Sequence, residues 1–106
     1  MAVPVVPFSF LSGRETLGVD TEGWSLDNPE DGFERTVRTR VLFNRAFAAT
    51  PLVHVGLSGF DIGNNDCARL HTHVEELDAR GFDIVVSTWL YTRVWKVEVS
   101  WLAVGS

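Results

Sequence analysis

A single cysteine, Cys67, occurs among the 106 residues of the sequence, so no disulfide can form within the chain. Stability must then come from packing or from assembly. The sequence also lacks a run of about 18 apolar residues, the length that a membrane-spanning helix needs. Asp and Glu outnumber Lys and Arg, and the formal net charge is -5. The missing basic surplus argues against nucleic acid as a partner and against a basic membrane-binding patch.

The amino-terminal stretch is apolar but lacks a basic residue ahead of it, and Pro4 and Pro7 interrupt it. This is not the pattern of a signal peptide. We therefore expect the chain to be cytoplasmic by default or to be part of a larger exported assembly. Hydrophobic residues make up 45% and charged residues 22% of the chain, values typical of a folded globular protein. The length favours one domain over residues 1–106.

Long helical patterns are absent, and apolar residues instead alternate with polar ones. In the stretch FERTVRTRVLF, for example, Phe33, Val37 and Val41 fall on one side of a strand, whereas Arg38 and Arg40 fall on the other. About six such segments, separated by turn-forming residues, predict an all-β antiparallel sandwich or barrel. The predicted strands lie in FSFLSGRETL, FERTVRTRVLF, PLVHVGLSGFDI, ARLHTHVEE, GFDIVVSTW and VWKVEVSWLAV.

Three tryptophans lie near the carboxyl terminus, and alternation assigns them to different environments. On the last predicted strand, Trp101 and much of Trp95 fall on the side of Val97 and Val99, which indicates the core. On the preceding strand, Trp89 falls at the strand end on the polar side, with Asp83 and Ser87. The opposite, apolar side of that strand holds Phe82, Ile84, Val86 and Thr88. The sequence thus predicts an exposed indole at Trp89.

An exposed indole beside charged residues suits a sugar, because a pyranose packs its C–H face on an aromatic ring and its hydroxyls need donors and acceptors. Arg69 lies on the polar face of its strand and offers a forked donor. The acidic turn DNPEDG offers Asp27, Glu30 and Asp31 as acceptors. An outward tryptophan of a small β protein is as often an oligomer contact, and lone charged residues are usually just solvated. Both interpretations stay open at this point.

Two histidines, His71 and His73, point the same way from one predicted strand, as a zinc pair would. A zinc site needs a third ligand and preferably a fourth, and the sequence has none at a suggestive spacing. No serine lies in a nucleophile elbow, no glycine-rich loop carries the lysine of a phosphate cradle, and no pair of carboxylates stands out. The sequence therefore favours a binding module without a metal, a cofactor or catalytic residues.

Several motifs follow one another in a fixed order. A phenylalanine precedes a P-x-V strand, and then come G-F-D, an arginine about eight residues later, G-F, T-W-x-x-T and a closing V-S-W-x-A. In this pattern the chain resembles the H-type lectin domain of snail agglutinins and of the carboxyl-terminal part of discoidins. The resemblance covers residues 33–106 without a gap. Residues 1–32, which hold an N-terminal strand and an acidic loop, match more loosely.

The resemblance implies a six-stranded antiparallel β-sandwich that assembles as a trimer. It also implies binding of N-acetylgalactosamine or galactose in shallow sites between subunits. Carried over by position, the arginine of the sugar site is Arg69, the aromatic of T-W is Trp89, and the second aromatic is Trp95, near a strand start where it can lie at the rim. The acidic residue belongs in the DNPEDGF turn. Gap-free matching lands there on Gly32, so Asp31 is the best match.

Two departures from the family pattern bear on function. Leu90 stands where the snail lectin has a histidine, which removes a polar contact and makes the pocket wall more apolar. The cysteines of the snail protein are replaced by Ala48 and Val86, which fits folding in a reducing compartment.

The prediction is a non-enzymatic lectin that recognises terminal N-acetylgalactosamine or galactose and assembles as a homotrimer or a dimer of trimers. Its predicted sugar-binding residues are Asp31, Arg69, Trp89, Leu90 and Trp95. The alternative is a structural or adhesion module of a larger, phage-like or secreted assembly, which trimerises without binding sugar. In that alternative, Trp89 and Tyr91 contact a protein neighbour.

Overall fold

Six antiparallel β-strands form two three-stranded sheets in the part of the chain that the computed structural model describes, residues 8–29, 32–63 and 67–106. The strands are β1 Ser9–Gly18, β2 Arg35–Leu42, β3 Leu52–Gly63, β4 His71–Glu75, β5 Gly81–Thr88 and β6 Arg93–Gly105. One sheet has the order β1-β6-β3 and the other the order β2-β5-β4. The prediction of an all-β antiparallel fold is thus confirmed. None of the described residues belongs to a helix long and apolar enough to cross a membrane.

The core lies between the two central strands. Phe82, Ile84 and Val86 of β5 and Val97 and Val99 of β6 are fully buried. Burying each of these side chains stabilises the fold by about 1.5–3 kcal/mol, so these alternating positions hold the two sheets face to face.

Aromatic rings close one end of the core. The rings of Phe43 and Phe47 meet edge to face at 5.1 Å, and Phe82 meets Trp101 at 5.4 Å in the same geometry. The core position that alternation predicted for Trp101 is confirmed.

Alternation fails at the amino-terminal end of the predicted strand FERTVRTRVLF, where β2 has not yet begun. Phe33 was predicted to share the apolar side of Val37, but it precedes β2 and is 70% exposed. That prediction is wrong because the residue pattern controls side-chain direction only within the paired strand. Val37 and Val41, within β2, are buried as predicted.

A bulge in the ladder between β3 and β6 changes the position of Trp95. Ile62 pairs with Val94 and Asp61 with Lys96, so Trp95 is an extra residue on β6. Val94 therefore takes the core position and is fully buried, whereas Trp95 is 38% exposed. The prediction that much of Trp95 is core is wrong, because the bulge places this residue at the exposed start of β6.

Candidate functional site

A groove on the outer face of the β2-β5-β4 sheet contains the indole of Trp89. This residue follows the last residue of β5 and is 36% exposed, as the sequence predicted. β5 is the central strand, so its end is flanked by Glu34, just ahead of β2, and by His71, which pairs with Ser87. The groove has a volume of ≈ 520 Å³, within the range of about 300–1,000 Å³ that ligand pockets occupy. Its lining residues are Glu34, His71, His73, Ser87 and Trp89.

Most of the polar groups along this groove already have partners. The Ser87 hydroxyl lies 3.1 Å from that of Thr36. Nε2 of His73 lies 2.6 Å from Oε2 of Glu75, and Arg38 donates to Oε1 of the same carboxylate at 2.5 Å. The pKa of Glu75 is lowered mainly by the hydrogen bond from Arg38 and secondly by the hydrogen bond from His73. Glu75 is therefore a carboxylate at neutral pH that orients the His73 ring at the groove.

The two histidines do not form a metal centre with their neighbours. The His71 and His73 rings are 5.2 Å apart, but His73 is engaged with Glu75. Within residues 8–29, 32–63 and 67–106, no group of three or more His, Cys, Asp or Glu side chains could hold a metal ion.

A single guanidinium holds the turn that follows Trp89. Nη1 of Arg35 donates to the carbonyl of Phe33 at 3.1 Å and to that of Leu90 at 2.9 Å, and Nη2 donates to the carbonyl of Thr92. Partial burial, and secondarily the charge of Arg93, lower the pKa of Arg35. Arginine nevertheless stays protonated near neutral pH, so the forked donor is always present to fix the turn.

Two residues with positive φ bring the acidic turn against Leu90. Gly32 has φ 70°, and Leu90 has φ 55°, an unusual value for a side chain branched at Cγ. The backbone N–H of Leu90 donates to the carbonyl of Gly32 at 3.0 Å. A Cβ at position 32 would lie 3.3 Å from Cδ2 of Leu90, so glycine suits both the conformation and the contact. The predicted acceptor Asp31 precedes Gly32 in sequence and lies outside the described residues.

Two buried threonines anchor Arg69 beside the end of β5. The Thr88 hydroxyl donates to the carbonyl of Arg69, and the N–H of Arg69 donates to Oγ1 of Thr92 at 3.2 Å. The Thr92 hydroxyl in turn donates to the carbonyl of Cys67 at 3.0 Å, and Nη1 of Arg69 reaches that same carbonyl at 3.3 Å. Both threonines are fully buried. The T-W-x-x-T motif therefore encodes one outward indole and two inward hydroxyls. Alternation predicted the inward side for Thr88, whereas sequence reasoning missed Thr92.

The structure separates the predicted site residues into two places. Arg69, Trp89 and Leu90 lie at one end of the β2-β5-β4 sheet, although Trp89 is the one among them that lines the groove. Trp95 lines another cleft, on the β1-β6-β3 sheet. Ser87 lines the groove with Trp89 because it lies two residues earlier, on the side of β5 that alternation assigned to Trp89. Glu34, which sequence reasoning did not single out for the site, lines it because it precedes Arg35, the β2 partner of Thr88. No motif of the sequence marks Glu34 for this position.

The H-type lectin domain model matches residues 38–104. The chain belongs to the H-type lectin domain family. The resemblance drawn from the motifs is thus confirmed, and the chain is a lectin-type domain of a family of non-enzymatic binding modules.

The chain is similar to discoidin II in structure and to a bacterial protein in sequence. Wild-type discoidin II of Dictyostelium discoideum superposes with a TM-score of 0.79 and 26% identity, covering 95% of this chain and 39% of discoidin II. Recombinant discoidin II superposes with a TM-score of 0.80 and 25% identity, covering 97% of this chain and 40% of that one. The chain thus spans about two fifths of the length of discoidin II. A Fuscovulum blasticum protein, "ATP synthase subunits region ORF 7", is 40% identical over 83 residues, which are 78% of this chain and 68% of that protein.

Proposed function

We propose that this domain is a non-enzymatic lectin that binds terminal N-acetylgalactosamine or galactose on glycans. The observation that carries the proposal is the half-exposed indole of Trp89, held at the end of β5 in a groove with the carboxylate of Glu34. An indole packs on the C–H face of a pyranose, and a carboxylate accepts hydrogen bonds from its hydroxyls. A rigid aromatic platform with a few fixed polar groups is what a sugar site requires.

In the proposed site, Trp89 stacks on the sugar, Arg69 and Asp31 hold its hydroxyls, and Leu90 forms an apolar wall. Trp95 forms a second wall. In one chain, however, Trp89 and Trp95 line different cavities. We propose that a site using both rings is formed by two subunits, with Trp95 of one chain facing the end of β5 of the next.

The edge strand β3 supports assembly. Leu57 and Phe60 pair with Val99 and Val97, whose side chains are fully buried in the core. Phe60 is nevertheless 62% exposed, because the facing sheet does not cover this part of β3. An apolar strip on the core side of an edge strand favours burial against another subunit. We propose a homotrimer or a dimer of trimers.

Assembly also gives weak sites a use. A neutral sugar in a shallow groove is expected to bind in the high micromolar to millimolar range, worth roughly 4–6 kcal/mol per site. Three or six sites on one glycan-bearing surface raise the avidity by orders of magnitude without a new contact.

Isothermal titration with N-acetylgalactosamine and with galactose tests the proposal. We expect saturable heat at about one site per subunit for the wild type, and none for Trp89→Ala or Arg69→Ala, while sedimentation shows the same oligomer. Arg80→Ala is the matched control: this exposed arginine precedes β5, roughly 25–30 Å along the strand from Trp89, and should bind as the wild type does. If Trp89→Ala still binds either sugar, the proposed role of Trp89 is wrong.

A second candidate function is a structural or adhesion module that trimerises without sugar. The exposed run Trp89, Leu90 and Tyr91 favours it, because three consecutive large side chains at the end of β5 suit a protein neighbour. In that case both sugars give no heat, and Trp89→Ala dissociates the oligomer or releases the partner. The two candidates therefore differ in both readouts of the same variant.

A further inference from the structure

Two histidines lie side by side on β4, an edge strand of the β2-β5-β4 sheet. His71 pairs with Ser87 and His73 with Val85, so the two histidines are two positions apart and project from the same face. Their ring centres are 5.2 Å apart, and both rings line the groove of ≈ 520 Å³. Two imidazoles bound to one tetrahedral metal ion have ring centres roughly 5 Å apart, because each nitrogen lies about 2.0–2.1 Å from the ion. The spacing of the pair therefore fits a shared metal ion.

One ring nitrogen of His73 is a buried acceptor without a hydrogen-bond partner. Nε2 of His73 lies 2.6 Å from Oε2 of Glu75. A glutamate is ionised near neutral pH and can only accept, so Nε2 carries the proton of this hydrogen bond. The lone pair of neutral His73 is then on Nδ1, which is buried and has no partner among the described residues. A buried acceptor without a partner destabilises the fold, and a metal ion would satisfy it.

Glu75 holds His73 in the way that an outer carboxylate holds a metal-binding histidine. Histidines that bind metals commonly donate their second ring N–H to a carboxylate, which fixes the tautomer and the orientation of the ring. Arg38 in turn donates to the other oxygen of Glu75 and holds the carboxylate in place. Neither nitrogen of the His71 ring has a hydrogen bond to a residue that the structure describes. His71 is exposed, so its ring can turn to present a nitrogen beside His73.

The type of ligand atom selects the type of ion. Imidazole nitrogen suits zinc, nickel, cobalt and copper, whereas magnesium and calcium take oxygen ligands. Among the described residues the neighbours of the pair supply no third protein ligand, so water or a molecule in the groove would fill the remaining positions of the ion. We propose that His71 and His73 form a two-histidine site for a divalent transition-metal ion. Neither this site nor its test depends on sugar binding at Trp89.

Isothermal titration of the full chain with Zn²⁺, Ni²⁺ and Co²⁺, in the absence of sugar, tests the inference. We expect saturable heat at no more than one ion per subunit. The Kd should be micromolar, because two imidazoles are only half of the ligands of a structural zinc site. Mg²⁺ and Ca²⁺ should give no heat. His71→Ala and His73→Ala should each weaken Zn²⁺ binding at least tenfold, and Glu75→Gln should weaken it about tenfold, the usual effect of losing an outer partner.

His54→Ala is the matched control, because it removes the third histidine of the chain from β3 in the other sheet and should bind Zn²⁺ as the wild type does. Cys67→Ser, which removes the one thiol, should also bind as the wild type does. In ¹H–¹⁵N NMR spectra of the histidine rings, Zn²⁺ should shift Nδ1 of His73 while Nε2 stays protonated. The inference is overturned if none of the three transition-metal ions gives saturable heat, or if His71→Ala binds Zn²⁺ as tightly as the wild type. Loss of binding in His54→Ala or in Cys67→Ser would also overturn it.

Discussion

Replacing Thr92 by valine removes one hydroxyl from beneath the candidate site while keeping the shape of the side chain. Thr92 is fully buried, and its hydroxyl donates to the carbonyl of Cys67 and accepts the N–H of Arg69. The change removes one of the two hydroxyls that anchor the backbone of Arg69 and leaves the charge of Arg69 in place. The variant therefore tests whether the hydroxyl of Thr92, the second threonine of the T-W-x-x-T motif, is needed for stability and for sugar binding.

The expected cost follows from the environment of the two bonds. A buried backbone group that loses its hydrogen-bond partner lowers the free energy of unfolding by about 1–3 kcal/mol, and burial of the added methyl group raises it by about 0.8 kcal/mol. Cys67 is exposed and both bonds are only partly buried, so water can reach the released groups and the lower end applies. We expect a loss of about 1–2 kcal/mol, equivalent to a fall in Tm of about 4–16 °C for a domain of this size.

Urea and thermal unfolding measure this loss, at one fixed protein concentration because assembly makes Tm depend on concentration. Titration with galactose should show weaker binding by Thr92→Val, since Arg69 loses its backbone anchor. Thr92→Ser is the control: it keeps the hydroxyl and gives up one methyl group, so it should retain most of the binding. The reasoning is refuted if Thr92→Val is as stable as the wild type, or if the serine variant loses as much binding as the valine variant.

Three further predictions concern the scaffold of the site. Arg35→Lys should lower the free energy of unfolding by about 1–3 kcal/mol in urea and weaken sugar binding, because lysine cannot bridge three carbonyls. Gly81→Ala should destabilise the fold by about 3 kcal/mol or more, since its Cβ would lie 2.2 Å from a backbone oxygen. Gly56→Ala is the control, because the nearest atom to its Cβ lies at 3.9 Å, and thermal unfolding should show a Tm close to that of the wild type. Glu75→Gln should make the free energy of unfolding less sensitive to acid. The lowered pKa of Glu75 stabilises the wild-type fold above about pH 4.3, and this contribution is lost as pH falls through the pKa of the folded state. The urea midpoints of wild type and variant should therefore converge in acid.

Much of the fold could be predicted from the sequence because strand patterns are local. Alternation placed Phe82, Ile84 and Val86 in the core and turned Trp89 outward, and the structure confirms these positions. The motifs identified the family. The same reasoning was wrong for Trp95, because a bulge adds one residue to β6 and reverses the side on which the next side chain falls.

The site was predicted less completely than the fold. Glu34 lines the groove of Trp89 through the register between β2 and β5, which no single segment encodes, whereas the position of Ser87 follows from alternation along β5. The role of Asp31 in binding sugar remains a prediction. The inward direction of Thr88 follows from alternation along β5. That of Thr92 depends on the turn after Trp89, whose carbonyls accept from Arg35.

The sequence by itself determined the strands, the exposed face of Trp89 and membership of the H-type lectin domain family, because residue period and motif order are properties of one continuous segment. Only the tertiary structure decided that Trp89 and Trp95 belong to different cavities and that the hydroxyls of Thr88 and Thr92 hold the backbone of Arg69. Those outcomes depend on the pairing of β6 with β3, on its bulge, and on hydrogen bonds between residues that are distant along the chain. The pairing of strands that are distant in sequence decides which side chains come into contact, and a local residue pattern carries no information about that pairing.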